Sequence, residues 1–182
     1  MMEMEMEAMA IAMPAVEGHP NREGFRGVLT LVDVASDRAP LGARGHRVVL
    51  TRGAAEEGLA SLLGMGLDYA PSLDRHDVRR KVGVITRAEI VGRAVELGGY
   101  LYAKDFPEIV QEIEKSGQGT AERSGLGMSY EVTETRVADL SASVWTLTRV
   151  VFTGAAILRR DKAAYGATWI ELEETSAEVC KR

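Results

Sequence analysis

The sequence predicts an α+β domain built on a β-barrel or a strongly curved sheet, and three observations lead there. Runs rich in β-branched and apolar residues recur along the chain, as in VLTLVDV, RVVL, VGVIT, MSYEV and VWTLTRVVF, and runs of this kind mark strands. Two or three stretches carry helical spacing instead, and they do not alternate regularly with the strands. That irregularity disfavours a parallel, doubly wound sheet. The chain has 182 residues, 46% of them apolar and 27% charged, enough for one domain with a real core.

Residues 1–23 read as a flexible arm, a Met/Glu alternation followed by Pro14, Gly18 and Pro20. Order begins near Phe25. In RGVLTLVDVA, Val28, Thr30, Val32 and Val34 fall on one side of a strand, and Leu29, Leu31 and Asp33 on the other. Gly42 and Gly45 mark a turn before HRVVL, a short apolar strand. Thr51 stands where a helix cap belongs. Ala55, Leu59, Leu62 and Leu63 then keep the spacing of one buried helix face, which Gly64 and Gly66 end.

APSLDRHDVRRK is polar and turn-rich, a loop. VGVITRAEI is the next strand, with Val82, Val84, Thr86, Ala88 and Ile90 on one face, and YLYAKDF the one after it. Pro107 opens a short helix, where its missing N–H costs nothing. Ile109, Val110 and Ile113 form the buried stripe and Gly117 closes it. A loose GQGTAERSG loop leads to GMSYEVT and then to SVWTLTRVVF, apolar on both sides like a central strand with both faces covered. AAYGATWIELEE adds one more strand or a terminal helix. The domain thus spans 24–174, with 175–182 as a tail.

Several functions are disfavoured. A net charge of −5 argues against nucleic acid as the main partner, and the basic run around Arg75, Arg79, Arg80 and Lys81 is local. The single cysteine, Cys180, has no intramolecular partner. No apolar stretch approaches the roughly 18 residues that span a bilayer. The first residues lack the basic segment of a secretory signal, so a cytoplasmic location is expected. Three scattered histidines give no zinc-like spacing, and no phosphate-binding glycine motif occurs.

The chemistry-bearing residues are few. If GMSYEVT is a strand, Gly127, Ser129, Glu131 and Thr133 share its polar face. A serine hydroxyl becomes a nucleophile only when a base accepts its proton. Among the histidines, His76 has the best position, in a loop directly before a strand, where it is held and still reaches solvent.

Three blocks then occur in order. HDVRRKVGVIT is a histidine followed by an acid and a Val-Gly-Val strand; GLGMSYEV is a Gly-Met-Ser approach to a strand, preceded by a helix ending in glycine. VWTLTRVVFTGAA is a hydrophobic strand running into a turn. Together, over roughly 24–156, they resemble the prohead (capsid maturation) proteases of tailed bacteriophages, relatives of the herpesvirus assemblins. The resemblance implies an assemblin-like fold, a β-barrel core flanked by a few helices. It implies a serine endopeptidase that cleaves scaffold and capsid-protein segments, and its own termini, during prohead maturation. The same fold without activity would make a capsid-assembly or scaffold-binding protein.

Carried over, the resemblance gives Ser129 as nucleophile, in the register Gly127-Met128-Ser129, and His76 as base. The glutamate that many relatives carry on the final strand matches Thr146, so the third member stays open among Thr146, Glu131, Asp139, Asp77 and His46. Arg159 and Arg160 match in spacing the arginines that help build the assemblin oxyanion hole. No cofactor and no metal are implied. The implied partners are phage scaffold and major capsid protein as substrates, and a second copy of the chain, since assemblins are activated by dimerisation. The implied place is the host cytoplasm, inside the assembling prohead. On this reading the glycines beside Ser129 let a polypeptide approach the strand closely.

Overall fold

A long strand near the C-terminus organises the molecule. The computed structural model describes residues 9–117 and 125–173; the Met/Glu repeat before Met9, most of the GQGTAERSG loop, Cys180 and the tail at 175–182 lie outside them. In chain order the strands are β1 Met9–Ala10, β2 Glu23–Leu31, β3 Arg47–Leu50, β4 Gly66–Tyr69, β5 Lys81–Val91, β6 Ala94–Leu101, β7 Leu126–Val137, β8 Val144–Arg159 and β9 Trp169–Leu172. The helices among the described residues are α1, Arg52–Gly58, and α2, Pro107–Gly117, with a 3₁₀ turn at Leu59–Leu62.

β8 pairs antiparallel with β7 along one edge. Along its other edge it takes two parallel partners in succession, β3 against Val144–Leu147 and β4 against Ala155–Ile157. From β4 the sheet continues antiparallel through β5, β6 and β2 to β9. This mixed sheet curls into a half-barrel, the expected α+β class. The curl returns the far end to β7: the Met128 N–H donates to Thr168 Oγ1 at 3.1 Å, just before β9. Inside lie Phe25, Leu29, Leu50, Leu67, Ile85, Leu101, Met128 and Phe152, all essentially without solvent contact.

Local chemistry explains the helices. Thr51 caps α1, its hydroxyl accepting the Ala54 N–H at 3.2 Å. The helix expected to run through Leu63 instead tightens after Gly58 into the 3₁₀ turn. Glycine is needed there because a Cβ would lie 2.9 Å from the Val150 carbonyl oxygen and 3.2 Å from the Phe152 ring. α2 begins at Pro107 and buries Ile109 and Ile113, as its spacing predicts.

Other differences from the sequence reading also have physical causes. Gly66 does not merely stop a helix; it opens β4, whose GLDY is too short for its Leu67–Tyr69 alternation to stand out. Register shifts in β2, between Val28 and Thr30, bury Val28, Leu29 and Thr30 together. A similar shift in β5, between Ile85 and Arg87, breaks the expected alternation, so Val82, Ile85 and Ala88 are the buried side chains. β6 begins well before YLYAKDF, ends inside it at Leu101 and contains Gly98 and Gly99, residues that read as breakers; the Gly99 backbone packs against the Val84 carbonyl, where no side chain fits. Within the stretch read as an arm, β1 pairs with Ala88 and Arg87 of β5. Asn21 holds the segment farther on, donating to Asp105 at 2.9 Å and accepting the Lys104 N–H at 2.9 Å.

Candidate active site

The register of the sheet assembles one polar face. Residues directly opposite on neighbouring strands project to the same side. Ser129 of β7 lies opposite Ala156 of β8, Ala156 opposite Asp68 of β4, and Asp68 opposite Lys81 of β5. Two residues along β7, Glu131 lies opposite Gly154. Ser129, Glu131, Asp68 and Lys81 therefore share a face, with Ala156 and Gly154 as its floor. A Cβ on Gly154 would stand 2.7 Å from Glu131 Oε2 and 3.3 Å from Lys81 Nζ, so the missing side chain makes the room that these two groups occupy.

His76 reaches this face from the loop joining β4 and β5. Backbone bonds fasten the loop: Arg80 N–H to the Asp77 carbonyl at 2.9 Å, Tyr69 N–H to that of Arg80 at 3.2 Å, and Arg159 N–H to that of Leu73 at 2.8 Å. Asp68 Oδ1 accepts the Asp77 N–H at 2.8 Å, next to the histidine itself. His76 Nδ1 then lies 3.1 Å from Glu131 Oε1 and 3.9 Å from Asp68 Oδ2. Lys81 Nζ is 3.6 Å from Glu131 Oε2 and 3.7 Å from Asp68 Oδ2.

Two carboxyls so close cannot both ionise cheaply. Asp68 has no solvent contact; burial and then the hydrogen bond shared with Glu131 raise it to about 7, against the opposing Asp77 N–H. Glu131 is pushed up by burial, but hydrogen bonds from His76 and Asp68, and then the Lys81 and His76 charges, outweigh this and hold it at about 2. Below about pH 7 the pair thus holds one proton on Asp68 beside an ionised Glu131, and loses it as pH rises through that value. An ionised Glu131 only accepts, so the proton between it and the imidazole sits on His76 Nδ1, and in the neutral ring Nε2 is then the nitrogen with the lone pair.

The other sequence candidates lie elsewhere. Thr146 pairs with Val49, ten residues before Ala156 and so about 33 Å back along the strand. Asp139 is taken up in the turn between β7 and β8, accepting from Ser141 N at 2.8 Å and Ser141 Oγ at 2.6 Å. His46 stacks on Trp145 at 4.5 Å, at the β3 end of β8. Asp77 turns its carboxylate to the Arg79 N–H at 3.2 Å. Arg159 and Arg160 follow the end of the row, but both backbone N–H groups are engaged, with the Leu73 and Gly125 carbonyls. Ser129 is half-buried, and no hydrogen bond joins it to His76 among the described residues.

Gly127 requires a correction. Its backbone is approached not by open space but by the chain's own Thr168, whose Oγ1 would lie 2.6 Å from a Cβ, with Arg160 Cα at 3.3 Å. This glycine serves the closure of the half-barrel.

No protein-family model and no curated protein matches the chain. Among solved structures the chain is similar to KSHV protease, crystallised in complex with a hexapeptide phosphonate inhibitor. The match has 12% identity and a TM-score of 0.46, and covers 88% of this chain and 69% of that one. At that distance, what this chain does has to be argued from its own residues.

Those residues form an imidazole with one nitrogen fixed by a carboxylate and the other available as a base, on a face that carries a serine. Asp68, His76 and Glu131 also have the mutual spacing of metal ligands, all within 4.8 Å. The Lys81 ammonium already supplies the cation between the two carboxyls. Asp68 and Lys81 were not sequence candidates. Asp68 reaches the face through the parallel pairing of β4 with β8 and Lys81 through the antiparallel pairing of β5 with β4, and nothing in GLDY or RRKVG signals either.

Proposed function

We propose that the chain is a serine endopeptidase of the prohead-protease type. The observation that carries the reading is the 3.1 Å contact of His76 Nδ1 with Glu131 Oε1, on the face that Ser129 shares. It supports Ser129 as nucleophile, His76 as general base and Glu131 as the group that orients the imidazole. Ser129 Oγ attacks the peptide carbonyl carbon while His76 Nε2 takes its proton. Glu131 stabilises the resulting imidazolium, which next protonates the leaving amine; water then releases the acyl group by the same route. In the resting state Ser129 and His76 are not bonded, and catalytic hydrogen bonds commonly tighten only with substrate in place. The Arg159 side chain pairs with Asp161 at 3.3 Å, so of the two arginines matched in sequence Arg160 is the one proposed to support the oxyanion.

The substrates proposed are phage scaffold and major capsid-protein segments, and the chain's own termini, inside a prohead assembling in the host cytoplasm, with a second copy of the chain as partner. The second reading, an inactive scaffold-binding protein, has the missing Ser129–His76 hydrogen bond in its favour. Incubating the wild type, Ser129→Ala and His76→Ala with scaffold and capsid protein, and with a randomised peptide mixture, separates the two. New termini found by mass spectrometry with the wild type alone support the enzyme. Intact substrate in every sample, with scaffold retained on the protein, supports the binding role.

A further inference from the structure

We propose that Asp68 is a positioning residue for the serine-peptidase chemistry, a buried carboxyl that shares one proton with Glu131 and so keeps a single negative charge facing His76. The proposal rests on the reading of Ser129 and His76 given above and adds a residue to it. Three observations carry it. Asp68 has no solvent contact, and its Oδ2 has no fixed donor, although it lies 3.9 Å from His76 Nδ1 and 3.7 Å from Lys81 Nζ. A second full negative charge, buried with one backbone N–H as its only close donor, is costly, and a proton shared with the neighbouring carboxyl removes that cost. Its Oδ1 fixes the Asp77 N–H at 2.8 Å, so one side chain holds both the loop that presents His76 and the carboxylate that orients it.

The charges close around the imidazole. β4 contributes Asp68, β5 Lys81, β7 Glu131, and the loop His76 and Asp77, whose carboxylate turns to the Arg79 N–H; β8 contributes only Gly154 and Ala156. With one proton on the carboxyl pair, the Glu131 and Lys81 charges cancel before the reaction. When Ser129 gives its proton to His76, the imidazolium then balances the oxyanion, and no net charge is left in the site. Without the shared proton the same site carries an extra negative charge, which opposes formation of the oxyanion.

The test uses the full chain and its Asp68→Asn and Asp68→Ala variants, each shown to be folded by circular dichroism. The rate of Ser129 labelling by an alkyl fluorophosphonate is followed from pH 5 to pH 9. Asparagine keeps an acceptor for the Asp77 N–H and a donor for Glu131, and so should restore most of what alanine loses. The expected result is an at least tenfold slower rate for Asp68→Ala at neutral pH, recovered to within about threefold by Asp68→Asn. The wild-type rate should fall as pH rises above about 7, where Asp68 loses its proton, a fall that Asp68→Asn lacks. Equal rates for wild type and Asp68→Ala, or the same fall above pH 7 in Asp68→Asn, would overturn the proposal.

If the wild type takes no label at all, the peptidase reading fails, and the shared proton is still decided by carbon-13 NMR of the two carboxyls. Sharing predicts that Asp68 titrates near neutrality in the wild type and that Glu131 titrates at higher pH in Asp68→Ala. Ordinary acid-range titration of Asp68, with Glu131 unmoved by the alanine, refutes it.

Discussion

Asp68→Asn should make the protein's stability less dependent on pH. The native carboxyl is raised from 3.8 to about 7, chiefly by burial. Folding therefore takes up a proton between these values, and a raised native pKa gives stability that is complete below 3.8 and lost as pH rises through about 7. Each pH unit inside that window costs about 1.4 kcal/mol, so the wild type should lose roughly 2–3 kcal/mol from this group between pH 5 and pH 8. Glu131 contributes in the opposite sense, with stability present above 4.5 and lost as pH falls through about 2, outside the interval tested. Asparagine has no proton to lose and keeps the bond to the Asp77 N–H. Urea unfolding of both proteins at pH 5, 6, 7 and 8, with m-values compared, should show the variant gaining on the wild type by roughly 2–3 kcal/mol across the series. A stability difference constant to within about 0.5 kcal/mol over that range would refute a proton held by Asp68.

Other substitutions address single contacts. Glu131→Gln keeps an acceptor for His76 but removes the charge that stabilises the imidazolium; fluorophosphonate labelling should slow by about 10² or more, with the fold unchanged by circular dichroism. Gly154→Ala places a methyl 2.7 Å from Glu131 Oε2 and 3.2 Å from the Gly66 carbonyl oxygen; urea melts should show a loss of roughly 1–3 kcal/mol, and labelling should fall with it. Gly127→Ala drives a methyl against Thr168 Oγ1 and disturbs that hydroxyl's bond from the Met128 N–H. It should cost roughly 1–3 kcal/mol of stability by urea melt, whereas a glycine kept only for substrate approach would lower activity and leave stability alone.

What could be read from the sequence was local. Thr51 as a cap, Pro107 at the start of α2 and the runs of β3, β7 and β8 each declare themselves within a few residues, and the structure has them. Glu131 also stood out, because period two places it on the face of Ser129. β4 was missed because GLDY is short and opens with a glycine that resembles a helix stop. Its strand character comes from the partners on either side, β5 and β8, far away in sequence. Asp68 and Lys81 went with it: an acid and a lysine near a loop look like surface residues until β4 pairs with β8 on one side and β5 on the other, burying Asp68 and setting Lys81 opposite it. The shifts in β2 and β5 were hidden for a related reason. A bulge is set by the curvature that a half-barrel demands, while the alternation of Val82, Val84 and Thr86 fits a flat strand equally well.

The central claim is that the Ser129 hydroxyl is activated by an imidazole which Glu131 holds in place. Its most direct measurement is the site of covalent labelling by an alkyl fluorophosphonate, read by intact mass and peptide mapping. The proposed mechanism gives one adduct per chain, on Ser129, absent from Ser129→Ala and strongly slowed in His76→Ala. A folded wild type that takes no adduct, or one labelled to the same extent after Ser129→Ala, would contradict it.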